Sequence, residues 1–184
     1  MNTKQIRLYD GNLKKEYPNL GKPIAKKSLG GKALLQRDYG KAQDCTITSL
    51  AFLFGVDKYD AIEKIAEKRG YNGETCGTNP LAIRNIMKDC CKQFGVRKTC
   101  YSSYGKGVAY NYSKIKQIIN DYNPVILNLW KDGRDYYKNH TITIIGYEEY
   151  ENGKFLIVYD NWSLSASLVD YDKLSIISSA NWMK

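Results

Sequence analysis

The spacing of the apolar residues changes once along this chain, near residue 124, and that change limits what it can fold into. Between Asp44 and Asn120 apolar side chains recur every three or four residues, as on a helix; from Val125 they fall in short runs rich in β-formers. Asp44 is placed to cap a helix whose Ile47, Leu50, Ala51, Leu53 and Phe54 are apolar on nearly every side, with Gly55 ending it. A helix of that kind belongs at the centre of a fold. Asp57 with Asp60 opens a second helix carrying Tyr59, Ile62, Ile65 and Ala66, stopped by Gly70. Asn79-Pro80 opens a third with Ile83, Ile86, Met87, Cys90 and Phe94 on one face, and Gly95 ends it. Ser113 caps a short fourth through Ile115, Ile118 and Ile119, closed off by Pro124.

Strands are predicted over 125–130, 141–147 and 155–160, the last two flanking Asn152-Gly153 as a hairpin, and the tail alternates again around Leu168 and Trp182. Helices first and strands afterwards predict a single α+β domain with the two layers packed face to face. Residues 43–184 form that domain. Residues 1–42 read as a mostly irregular arm, with turn signals at Asp10-Gly11 and Gly30-Gly31 and prolines at 18 and 23.

The formal charge of +9 is concentrated in the arm: residues 1–37 hold nine Lys or Arg against Asp10 and Glu16. Such an arm can contact an acidic partner. It has no Arg-rich block and no regular aromatic interleaving, so nucleic acid is not an expected partner. The longest apolar run, Leu50 to Val56, is far short of the roughly 18 residues a membrane span needs. The first twenty residues hold no apolar stretch of the secretory type, which leaves a cytoplasmic chain or an exported mature form equally open.

Chemistry is concentrated in few residues. His140 is the only histidine, placed after a polar loop (KDGRDYYKN) at the start of a predicted strand, where its ring is expected at a sheet edge facing a cleft. Cys45 begins the central helix, where unpaired N–H groups and the helix dipole are expected to lower its pKa and make it nucleophilic. If Cys45 is a nucleophile, its base must be His140. A carboxylate or amide should orient the imidazole, and Asp160, followed by Asn161 and Trp162, ends the strand that partners the His140 strand. Cys76, Cys90, Cys91 and Cys100 show no paired Cys-x-x-Cys spacing and the histidine lies elsewhere, so neither a metal nor another cofactor is expected. Those four are either reduced thiols or two disulfides in one of three connectivities.

The segment NHTITIIGYEEYENGKFLIVYDNWS, 139–163, resembles the His-to-Asn hairpin of papain and the cathepsins: Asn-His, an alternating strand, Gly-Tyr, a turn, an apolar strand, the orienting residue and a Trp. The segment QDCTITSLAFLFG, 43–55, is similar to the nucleophile helix of small bacterial papain-like peptidases related to bacteriocin-leader-processing proteases, in which Asp takes the orienting position. Asn-Pro-Val-Ile at 123–126 adds to the likeness, which spans about two thirds of the chain. Papain's Cys-Gly-Ser-Cys-Trp signature is absent, Thr46 stands where the bacterial relatives have Gly, and Tyr39 stands where the family carries its oxyanion Gln.

The resemblance implies a papain-like fold, in which a central helix bearing Cys45 packs on a small antiparallel sheet bearing His140 and Asp160. It implies a cysteine peptidase that hydrolyses peptide or protein substrates through a Cys45-His140-Asp160 triad. Gln43 or Gln36, with the Cys45 N–H, would serve the oxyanion, and Trp162 would shield the His-Asp contact. The same triad also suits an amidase, an acyltransferase or a toxin-like modifying enzyme, and the same fold suits an inactive binding module.

Overall fold

A computed structural model describes residues 7–9, 13–36, 43–74, 77–130 and 139–184; the Asp10-Gly11 turn, Tyr39, Cys76 and most of the loop before Asn139 lie outside these. The described residues form a mixed α+β fold with an antiparallel sheet. Its helices are α1 (Leu13–Glu16), α2 (Cys45–Phe54), α3 (Tyr59–Glu67), α4 (Ile83–Gln93) and α5 (Tyr112–Asn120). Its strands are β1 (Arg7–Tyr9), β2 (Pro23–Ser28), β3 (Cys100–Tyr104), β4 (Val125–Leu129), β5 (His140–Tyr150), β6 (Gly153–Tyr159), β7 (Ser167–Asp170) and β8 (Ser178–Met183). Strand order is β1-β7-β6-β5-β4-β8-β3, with β2 also paired to β5. Eight strands make this sheet larger than the small one expected.

Period-two alternation sorts the core. Val125, Leu127 and Leu129 of β4 and Ile142 and Ile144 of β5 pack with Ile115, Ile118 and Ile119 of α5. Ile126, between them on β4, packs instead with Ile47, Leu50, Ile62, Ile83 and Ile86 of α2, α3 and α4. Helices therefore cover both faces of the central strands, which is why β4 is buried throughout. α2 is central as its sequence requires, with Thr46 through Ala51 all buried.

Two sequence expectations change. Part of the arm joins the sheet: β1 pairs with β7 and β2 pairs with β5, with Lys27 opposite Tyr147 and Ser28 opposite Gly146. A Cβ on Gly146 would sit 2.3 Å from the Lys27 carbonyl oxygen, so the close approach of β2 requires glycine there. The Asn152 turn fastens the arm as well, since Asn152 Oδ1 accepts from Gly21 N at 2.6 Å. The cap of α5 is Asn111, whose Oδ1 accepts from Lys114 N at 2.9 Å, and not Ser113. Among the described residues no helix is long and apolar enough to cross a membrane.

Candidate functional site

α2 and β5 meet where Cys45 opens the helix and His140 opens the strand. One side chain ties the two elements together. Asn161, buried and in the left-handed region at φ 64°, donates from Nδ2 to the Cys45 carbonyl at 2.9 Å, to Ser49 Oγ at 2.9 Å and to the Thr141 carbonyl at 3.0 Å. Its own carbonyl accepts from Gln36 N at 2.9 Å. Asn suits this position because its short amide tolerates the left-handed backbone that other branched or bulky residues resist.

Thr141, next to His140, is the β5 residue that acts on the Cys45 sulfur: its backbone and its hydroxyl both favour the thiolate, as does the backbone of Thr46. The Thr141 hydroxyl oxygen lies 2.8 Å from Thr46 Oγ1 and accepts from Asn128 Nδ2 at 2.8 Å. Burial nevertheless dominates and raises the Cys45 pKa, and the neighbouring Asp44 carboxylate adds to the rise. This reverses the lowered pKa that a helix N-terminus alone predicts, because the charged form loses more hydration than the helix end restores.

His140 does not stand at a sheet edge. It begins the central strand β5 and is 4% exposed, under the ring of Trp162, which stacks on it at a centroid distance of 4.1 Å and an angle of 22°. His140 Nε2 lies 2.7 Å from the main-chain carbonyl oxygen of Asp160. A carbonyl oxygen only accepts, so Nε2 carries a proton and donates it there. The Asp160 carboxylate has a further duty: Oδ1 accepts from Trp162 N at 3.0 Å and Ser163 N at 3.1 Å, which fixes the turn that carries the Trp162 ring.

A cleft of about 500 Å³ opens beside Cys45, with Gln43, Thr46, Thr78, Asn128 and Trp130 in its wall. Gln43 is the glutamine that reaches this cleft. Gln36 is buried and its side chain hydrogen-bonds Asp44. Gly77 also lines the cleft; it has φ 64°, and a Cβ there would come within 3.0 Å of the Gln43 carbonyl oxygen. Asp44, wholly buried, uses its carboxylate not to cap α2 but to accept from the Tyr59 hydroxyl. Burial raises its pKa to about 6, against the opposing hydrogen bond from Tyr59.

Cys90, Cys91 and Cys100 are buried free thiols, with Cys91 Sγ 3.7 Å from Cys100 Sγ, while Cys45 is partly exposed. Among the described residues no group of three or more His, Cys, Asp or Glu is placed to hold a metal. Sequence reasoning underrates Asn161 and misses Thr141, Asn128 and the Asp44–Tyr59 contact. The signal for Thr141 is present in the Thr-Ile-Thr-Ile alternation after His140, which puts its threonines on the face opposite Ile142 and Ile144. The chain matches no protein-family model and no curated protein.

Proposed function

We propose that this protein is a papain-like cysteine peptidase in which Cys45 is the nucleophile and His140 the base. The observation that carries the reading is the junction itself. The first residue of the central helix, the partly exposed cysteine, lies in the wall of a cleft with its sulfur against Thr141, one residue from the only histidine. The papain-like hairpin sequence at 139–163 supports the same reading.

The raised thiol pKa argues for general-base attack and against a standing thiolate–imidazolium pair. Nδ1 of His140 takes the Cys45 proton as Sγ bonds to the substrate carbonyl carbon. The oxyanion is held by the Cys45 N–H and the Gln43 amide. The imidazolium then returns the proton to the departing amine as the C–N bond breaks, leaving a thioester. Water, deprotonated by the same nitrogen, attacks the thioester, and the acid and the thiol are released. The Asp160 carbonyl keeps the proton on Nε2 throughout.

The test is intact-mass spectrometry of the protein mixed with a peptide library, with and without an added amine. An acyl adduct on Cys45, lost in Cys45→Ala and His140→Ala, is expected, with hydrolysed products. Amide exchange in place of hydrolysis would make the enzyme an acyltransferase. No adduct, no turnover and a Cys45 inert to alkylators would overturn the proposal in favour of a binding module.

A further inference from the structure

Away from the Cys45 cleft, three sulfur atoms meet under one end of the sheet. Cys91 of α4, Cys100 of β3 and Met183 of β8 are buried in the cluster that also holds Ile83, Ile86 and Met87. Cys91 Sγ lies 3.7 Å from Cys100 Sγ and donates to Met183 Sδ at 3.4 Å. With its own proton turned to Met183, Cys91 is the acceptor in its contact with Cys100, which donates its S–H. Cys100 and Met183 stand directly opposite each other in the β3–β8 register, so this is the point where the helix meets the strand pair.

The sequence leaves the pairing of the cysteines open, and this contact selects one pair. Bringing the two sulfurs from 3.7 Å to an S–S bond of about 2.05 Å moves each by less than about 1 Å. Cys90 precedes Cys91 on α4, but successive helical residues point about 100° apart, so the two thiols do not share a direction. β3 ends the strand order and, among the described strands, pairs only with β8. A strand held by one neighbour opens more readily than a central one, and a crosslink to α4 gives it a second hold.

We propose that a peroxide oxidises Cys91 and Cys100 to a disulfide that staples the edge strand β3 to α4. Cys91 is the more exposed of the two, 6% against 1%, and its sulfur attacks one peroxide oxygen. The O–O bond breaks, the leaving hydroxide departs as water with the thiol proton, and Cys91 becomes a sulfenic acid. The Cys100 sulfur then attacks the Cys91 sulfur, the S–O bond breaks, and a second water leaves with the Cys100 proton. Two thiols give up two electrons and two protons, and one peroxide becomes two waters. Burial pushes the Cys100 thiol up to about 12, so the second step is slow and the pair acts as a staple and not as a fast sensor. No residue lining the Cys45 cleft takes part.

The test is a crosslink map. The full-length folded protein is incubated with hydrogen peroxide, remaining thiols are blocked with iodoacetamide, and a tryptic digest is analysed without reduction. Cleavage after Lys88, Lys92, Lys98 and Lys106 puts Cys91 on residues 89–92 and Cys100 on residues 99–106. These two peptides should appear linked and should separate on reduction. The link should persist in Cys90→Ala and vanish in Cys91→Ala, and fragmentation of the linked peptides from the unaltered protein assigns the sulfur without any variant. The linked protein should melt at least about 4 °C above the reduced one, a difference that a reductant erases. A link through Cys90, a link from Cys100 to Cys76, Cys91 carried on to sulfinic acid with Cys100 unlinked, or both thiols unchanged overturns the inference. A linked form that melts no higher than the reduced one overturns the staple.

Discussion

The side-chain amide of Asn161 donates to the main-chain carbonyl of Cys45 at 2.9 Å, across 116 residues of sequence. The same nitrogen reaches Ser49 and the Thr141 carbonyl, so this buried side chain, beside the Thr46–Thr141 hydroxyl contact, holds α2 on β5. Asn161→Ala removes that donor from a buried site and leaves alanine at φ 64°. It should lower stability by about 3 kcal/mol, from lost hydrogen bonds and backbone strain together, as read by urea unfolding. Asn161→Gly relieves the strain alone and should recover about 1 kcal/mol of that. If the two variants unfold together at the wild-type midpoint, the amide does not hold the junction.

Cys45 should alkylate faster than Cys90, Cys91 and Cys100 in the folded protein, because it alone of the four is partly exposed. Burial pushes the Cys90 and Cys100 thiols up to about 12, so those two are handicapped twice. The Cys45 pKa is also raised, so its thiolate is scarce at neutral pH and its rate should climb about tenfold per pH unit from pH 6 to 8. Mass-mapped iodoacetamide labelling across that range checks both points. A rate already at its plateau at pH 6 would mean a standing ion pair with His140 and would refute the general-base mechanism.

The central helix is legible in the sequence because Ile47, Leu50, Ala51, Leu53 and Phe54 make it apolar on nearly every side, and the β5–β6 hairpin because Asn152-Gly153 separates two β-rich runs. The strands of the arm are not. β1 and β2 are three and six residues long, and what makes them strands is pairing with β7 and β5, more than a hundred residues away. The α5 cap is ambiguous locally, since Asn111 and Ser113 are both good caps two positions apart and only the contact to Lys114 N decides. At the site, the sequence brings forward Cys45, His140 and Asp160 as residue types. It does not reveal that an Asp160 main-chain oxygen meets the imidazole, nor that burial outweighs the helix end at Cys45. Both depend on how the layers close.

That distinction changes what Asp160 variants should do. Asp160→Asn keeps the main-chain carbonyl at His140 Nε2 and keeps a side-chain oxygen for Trp162 N and Ser163 N. It should retain kcat/KM within about threefold, an energy difference below about 1 kcal/mol. Asp160→Ala removes the oxygen that fixes the turn and frees the Trp162 ring from its place over His140. Its kcat/KM should fall at least tenfold, with the Trp162 indole more exposed to a fluorescence quencher. Loss of activity in Asp160→Asn equal to that in Asp160→Ala would instead assign the negative charge itself to catalysis.

Asp44 gives a pH dependence whose sign follows from its burial. Its pKa in the fold is about 6, above the ordinary 3.8, so between those values the folded state binds the proton that the unfolded state has released. Its stabilising contribution is therefore complete below about pH 4 and lost as pH rises through 6. By neutral pH the loss approaches about 3 kcal/mol, two pKa units at 1.36 kcal/mol each. Asp44→Asn keeps an oxygen to accept from the Tyr59 hydroxyl and has no charge to desolvate. The variant and the wild type should have similar stability at pH 4, and the variant should gain progressively to pH 7, as read by urea unfolding at each pH. Removing the neighbouring carboxylate should also lower the Cys45 pKa, so the alkylation profile of Asp44→Asn should shift to lower pH in the same samples. Unfolding curves that differ by a constant amount from pH 4 to 7 would show that Asp44 does not titrate in this range, and the link to Cys45 would fail with it.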